Sequence, residues 1–240
     1  MPQMSVQPRE PLLAYIEANP LVYWLLPESH NPGTDSRRWH MRCHQEAQSF
    51  VAVCSRYTTP AEQIIVITSQ WALIETHSGL YRDALWQNHA VPRDQRNNPR
   101  FDPRKRHPPH DRSLQQATEL LERKMDKLSK IVTLRIDVPD TEIWAIALWI
   151  SQKCGIYAPD CLHLATALQS GCNLLVTQDV GFLNLIHRFQ RSGVIGRILQ
   201  DLFASSTPPT FNACPLLLQG EVRRPGTQTA VQHLATLGYT

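Results

Sequence analysis

The sequence has no run of about 18 apolar residues, so no stretch is long enough to span a bilayer as a helix. Its first 30 residues lack the basic start and apolar run of a secretory signal, which makes the cytoplasm the expected compartment. Cysteine is sparse and scattered: the six (Cys43, Cys54, Cys154, Cys161, Cys172, Cys214) form no CxxC pair and no regular framework. In a chain of 240 residues they read as reduced, buried thiols rather than a disulfide scaffold. Glycine is also short, ten against eighteen prolines, which predicts long stiff connections. There is no internal repeat. Neither sign of charge dominates, and a net charge of +3 is too small to imply a polyanionic partner by itself.

What is present is an alternation of strands and helices. Leu12 to Ile16 reads as a short strand, followed by Glu17-Ala18-Asn19-Pro20 and a brief helix, Leu21 to Leu26. Pro20 suits a first helical turn, where its missing N–H costs nothing. A polar loop runs to about Arg38. Then Trp39, Cys43, Ala47, Phe50, Val51 and Cys54 keep helical spacing along one face. Ile64-Ile65-Val66-Ile67-Thr68 has the β-branched profile of a buried parallel strand. Ser69 then opens a helix that carries Glu75 and fades near Trp86.

Residues 91–112 differ from the rest. They hold seven cations (Arg93, Arg96, Arg100, Arg104, Lys105, Arg106, Arg112) against three acids, and five prolines argue against regular structure. Beyond them, Ser113 with Gln116 three residues later has the pattern of a capping box, and its helix extends to about Ser129. Ile131 to Ile136 is expected as a strand, Asp140 as the cap of a helix closed by Gly155, and Pro159-Asp160 as the start of another ending at Gly171. Leu174 to Thr177 is a compact buried strand, a helix covers about Phe182 to Gln190, and Arg197 to Leu202 is expected as a last strand. The final 35 or so residues show no convincing periodicity. Strands alternating with helices imply an α/β fold: a three-layer α/β/α sandwich with a mainly parallel central sheet.

Ligands of open parallel sheets bind beyond the carboxyl ends of the strands. Glu17 follows the first strand, Asp179 follows Leu174–Thr177, and Glu75 lies two helical turns past Ile64–Thr68. Asp160 opens a helix that can point the same way. Two like charges about 5 Å apart repel by roughly 3 kcal/mol at an effective dielectric near 20, so such a group persists when protons or a cation neutralise it. Hard oxygen donors without matched His or Cys favour Mg²⁺ or Mn²⁺, and metal-assisted phosphodiester hydrolysis is the matching chemistry. Taken singly, Asp160 and Asp179 are explained as helix caps, and Glu75 as a solvated helix residue. Their coincidence at matching strand ends is the stronger reading.

The stretch Tyr157-Ala158-Pro159-Asp160-Cys161-Leu162-His163-Leu164-Ala165-Thr166-Ala167-Leu168, continued by Thr177-Gln178-Asp179 and Phe182, resembles the PIN domains, including the VapC-like toxins of toxin–antitoxin pairs. Ala14-Tyr15-Ile16-Glu17-Ala18-Asn19 is similar to that family's opening segment, and Ser69 with Glu75 to its second acidic motif. The resemblance implies Glu17, Glu75, Asp160 and Asp179 as catalytic and metal-binding acids, supported by Asn19 and Thr177, with Mg²⁺ or Mn²⁺ as cofactor. It further implies an endoribonuclease acting on RNA, an antitoxin protein as partner, and a homodimer. Glu17 stands where the family usually has Asp, and Ala18 where it has a hydroxyl residue. The alternative is therefore a catalytically weakened PIN fold that binds RNA or protein; a DNA-cutting relative shares the same chemistry. The domain is expected over 10–203 with a basic, Pro-rich insertion at about 87–112, and a poorly defined extension over 204–240. Within the insertion Arg104, Lys105 and Arg106 are candidate RNA contacts, since phosphate neutralisation supplies most non-specific affinity. His40 and His44 lie one helical turn apart but lack further zinc ligands. His163 reads as packing or local hydrogen bonding, and Trp71, Trp144 and Trp149 as helix-core packing.

Overall fold

In the computed structural model, residues 10–26, 34–60, 62–88, 110–155, 157–204, 207–218 and 227–240 are described. The basic stretch around Arg104, Lys105 and Arg106 lies outside them. The strands are β1 (Leu12–Ile16), β2 (Thr58–Thr59), β3 (Glu62–Ser69), β4 (Thr133–Asp137), β5 (Leu174–Thr177) and β6 (Asn212–Pro215). The helices are α1 (Ala18–Leu25), α2 (Thr34–Arg56), α3 (Gln70–Asn88), α4 (Asp111–Ile131), α5 (Thr141–Cys154), α6 (Ala158–Gln169), α7 (Val180–Arg191), α8 (Val194–Leu202) and α9 (Ala230–Thr236).

β1 lies at the centre, parallel to β3 through Leu12↔Ile64 and parallel to β5 through Ala14↔Leu174. β4 pairs with β3 on one side and β6 with β5 on the other, both parallel; only the two-residue β2 runs antiparallel, against the start of β3. Successive strand residues face opposite sides, and the core divides accordingly. Ala14, Ile16, Ile64 and Val66 pack under α1, α2 and α4, whereas Tyr15, Ile67 and Leu175 pack under α5 to α8. The result is the three-layer α/β sandwich with a mostly parallel sheet. Five described cysteines (Cys43, Cys54, Cys161, Cys172, Cys214) are free and buried. Among the described residues, no helix is long and apolar enough to cross a membrane.

Four local expectations are corrected. Arg197 to Leu202 is not a strand but part of α8, because Ile195, Ile198 and Leu199 recur at helical spacing and bury together after Gly193 at φ 73°. Ser113 is not the cap of α4: His110, in extended backbone, accepts from the Ser113 N–H, while Ser113 is buried within the first turn. The next strand starts at Thr133 rather than Ile131, since α4 continues through Ile131. Trp144 and Trp149 are 52% and 43% exposed rather than packed in the core; α5 buries Ile143, Ala147 and Ile150 instead.

The end of the chain also forms elements that periodicity did not reveal. β6 adds a parallel strand beside β5, and α9 begins with a capping box between Thr229 and Gln232. Ala230 and Leu234 are fully buried and Tyr57 packs edge-on against Tyr239 at 4.9 Å. Truncating Leu234 to Ala is expected to destabilise the whole fold by about 2–5 kcal/mol, as for other buried leucines. Urea unfolding measures this; a loss below about 0.5 kcal/mol would show that α9 is not part of the cooperative unit.

Candidate active site at the carboxyl ends of the strands

Because β1, β3 and β5 are parallel neighbours, their carboxyl ends share one edge of the sheet. Glu17 is the residue after β1 and the N-cap of α1. The chain turns there because Glu17 is extended at φ −72°, ψ 169°, with its N–H bonded to the Val176 carbonyl at 3.1 Å. Only 4% of Glu17 is exposed. Its carboxylate accepts a short hydrogen bond from the Thr177 hydroxyl at the end of β5. Thr177 Oγ1 in turn accepts from the Asp179 N–H at 3.0 Å, so one hydroxyl joins two of the acids. The hydroxyl that Ala18 cannot supply thus reaches Glu17 from the neighbouring strand.

Asp179 is exposed and caps α7, accepting from the Phe182 N–H at 2.9 Å. A Cβ on Gly181 would stand 3.1 Å from Asp179 Oδ1, so a side chain there would crowd this carboxylate. Asp160 lies in the first turn of α6, behind Pro159, but Tyr157 holds the cap position and has no side-chain bond there. The helix-cap explanation of Asp160 therefore fails, while that of Asp179 holds alongside its place in the cluster.

Glu75 comes from α3 and accepts from His163 Nε2 at 2.7 Å. His163 is 1% exposed and sits one turn after Asp160 on α6. Its Nδ1 meets the Tyr15 hydroxyl at 2.8 Å, and that hydroxyl meets Ser69 Oγ at 2.9 Å. Tyr15 and the link from His163 to Glu75 escaped the sequence reading, which had Ser69 in the second acidic motif and His163 as packing or local hydrogen bonding. Asn19 is exposed on α1, and among the described residues its side chain makes no hydrogen bond to the acids.

The acids feel one another. Burial pushes Glu17 up to about 7, and Asp179 and Asp160 push it the same way; His163 and the Thr177 hydroxyl oppose them. Asp160 is pushed up to about 6, first by burial and then by Asp179, with His163 opposing and Glu75 adding to the rise. Carboxylates so raised hold protons more firmly, and a cation relieves the same repulsion. Four oxygen-donor acids fit a hard divalent ion such as Mg²⁺ or Mn²⁺. Among the described residues, no three His, Cys, Asp or Glu side chains already stand around one point as ligands. Glu17 meets Thr177 and Glu75 meets His163 through one carboxylate oxygen each, at an edge the acids already share.

A family model described as PIN domain matches residues 14–186. That span contains Glu17, Glu75, Asp160 and Asp179, β1, β3 and β5, and most of α7. None of the curated proteins compared matches the chain.

Proposed function

Because this chain belongs to the PIN domain family, a family of nuclease fold, we propose that it is a divalent-metal-dependent endoribonuclease whose active site is Glu17, Glu75, Asp160 and Asp179. The observation that carries the proposal is the raising of both Glu17 and Asp160 at one sheet edge: after burial, Asp179 and Asp160 push Glu17 up, and Asp179 and Glu75 push Asp160 up. Acids gathered against their own repulsion call for a positive partner. Mg²⁺ or Mn²⁺ held by them supplies a water of lowered pKa and counters charge developing on the scissile phosphate. Thr177 orients Glu17 and fixes its spacing from Asp179. Asp179 is exposed and Asp160 half-buried, so both are reachable from solvent.

The basic stretch around Arg104, Lys105 and Arg106 provides phosphate contacts in this reading, with a salt-sensitive share of the affinity. The biological setting we favour is the toxin of a toxin–antitoxin pair, with a small antitoxin covering the acids. Homodimer formation belongs to the same reading, both resting on the VapC-like resemblance; a cytoplasmic site rests instead on the scattered cysteines, read as reduced thiols.

The test is incubation of the purified protein with labelled single-stranded RNA in Mg²⁺ or Mn²⁺. Cleavage that a chelator stops is the expected result. Mn²⁺-induced thermal stabilisation without cleavage of RNA would replace the enzyme by a metal-retaining binding module. Neither stabilisation nor cleavage would remove the metal chemistry from the proposal.

A further inference from the structure

One buried hydrogen-bond chain links three of the elements that carry the acids. Tyr15 lies on β1 two residues before Glu17, Ser69 ends β3 just before α3, and His163 follows Asp160 on α6. Tyr15, Ser69 and His163 are 0%, 0% and 1% exposed, so water does not complete their hydrogen bonding. Their donors and acceptors must be matched within the protein.

The matching has one consistent solution when the imidazole is neutral; when it carries the charge that opposes the rise of Glu17 and Asp160, Nε2–H still donates to Glu75. The Ala72 N–H donates to Ser69 Oγ at 3.1 Å, which leaves the Ser69 hydroxyl proton for Tyr15. The Tyr15 oxygen accepts it and the phenol proton goes to His163 Nδ1 at 2.8 Å. With Nδ1 accepting, the ring proton resides on Nε2, where it is donated to Glu75 at 2.7 Å. Each hydroxyl donates once and accepts once, and the chain runs in one direction toward the carboxylate.

We propose that Tyr15 and His163 form a positioning relay for Glu75: Ser69 and Tyr15 fix the His163 tautomer, and its Nε2–H pins one Glu75 oxygen so that the other is presented to the divalent ion. The role rests on the metal-dependent reading above. His163 touches neither substrate nor metal; it acts through Glu75. The same logic governs metal sites generally, where a partner hydrogen-bonded to a ligating group orients it, and its loss weakens metal affinity by about 10–100-fold.

The decisive experiment measures Mn²⁺ binding to the full chain by calorimetry and the His163 tautomer in metal-free protein by ¹⁵N-histidine NMR. The wild type is expected to show the Nε2–H tautomer. His163→Leu keeps bulk but removes the donor, and is expected to weaken Mn²⁺ binding about 10–100-fold. His163→Gln, whose amide N–H₂ reaches near the Nε2 position, recovers part of that loss. Tyr15→Phe keeps the ring and frees the tautomer, giving a smaller weakening; it carries the test if His163→Leu does not fold. A Nδ1–H tautomer in the wild type would overturn the relay itself. Mn²⁺ affinity within twofold of wild type in folded His163→Leu and Tyr15→Phe would reduce the chain to packing. A wild type with the Nε2–H tautomer but no Mn²⁺ binding would instead overturn the metal reading, and the positioning role with it.

Discussion

Replacing Asp160 and Asp179 together with asparagine is expected to lower RNA cleavage by about 10³-fold or more while leaving the chain folded. The size follows from the way catalytic groups act as a unit: losing electrostatic stabilisation of a transition state from even one donor costs about 10²–10³, and partners held on one ion fail together. The fold should survive for a local reason. Asn at 179 can still accept from the Phe182 N–H, the bond by which Asp179 caps α7. Asp160 makes no cap bond to lose, because Tyr157 occupies the cap of α6.

The same substitution separates function from structure in a second way. Asp179 and Asp160 both push Glu17 upward, so neutralising them removes repulsion from a buried carboxylate. In chelator near neutral pH the double variant is therefore expected to be no less stable than the wild type. Mn²⁺ is expected to stabilise the wild type and to lose most of that effect on the variant. Thermal unfolding with and without Mn²⁺, run beside the cleavage assay, provides both readouts. A variant that still cleaves, or that unfolds at markedly lower temperature in chelator, would show that these acids serve the helix starts rather than the chemistry.

The layer architecture was legible because the β-branched runs and apolar stripes each bury one recognisable face. Ile64 to Thr68 fell inside β3, and the acids after β1 and β5 lay where a parallel sheet must place them. The failures have specific physical causes. Residues Arg197 to Leu202 are too few to show a helical period alone; the pattern appears only when Val194 and Ile195 are included. α9 and β6 are short and separated, and derive their stability from β5, Tyr57 and the core rather than from their own pattern. Ser113 imitates a cap because serine and a following glutamine fit the motif, yet an unobtrusive His110 supplies the acceptor. Within the site, carboxylates announced themselves by position, but the groups that aim them did not. Tyr15 and His163 look like ordinary core residues in the sequence, and only the mutual distances show that they and Ser69 form one hydrogen-bond chain to Glu75.

In the absence of metal, the stability of the protein should fall as the pH rises from about 5 to about 8. Glu17 is pushed from 4.5 to about 7, chiefly by burial. Between those values the folded protein holds a proton that the unfolded chain has released, so raising the pH favours unfolding. The contribution is fully present below the unfolded value and lost as the pH passes the folded one. For so buried a group the shift corresponds to about 3 kcal/mol. Asp160, raised from 3.8 to about 6, acts in the same direction. Mn²⁺ should offset much of this fall, because it competes with protons for the same carboxylates: at about a hundredfold excess over its Kd it adds roughly 3 kcal/mol near pH 8 and much less near pH 5. Glu17→Gln removes the titrating group, so it should flatten the metal-free profile and diminish the gain from Mn²⁺. Urea unfolding across that pH range, in chelator and in Mn²⁺, measures all three effects. Metal-free stability that stays level or rises toward pH 8 would mean that Glu17 remains ionised in the folded protein without help, and that a divalent ion is not what the buried acid lacks.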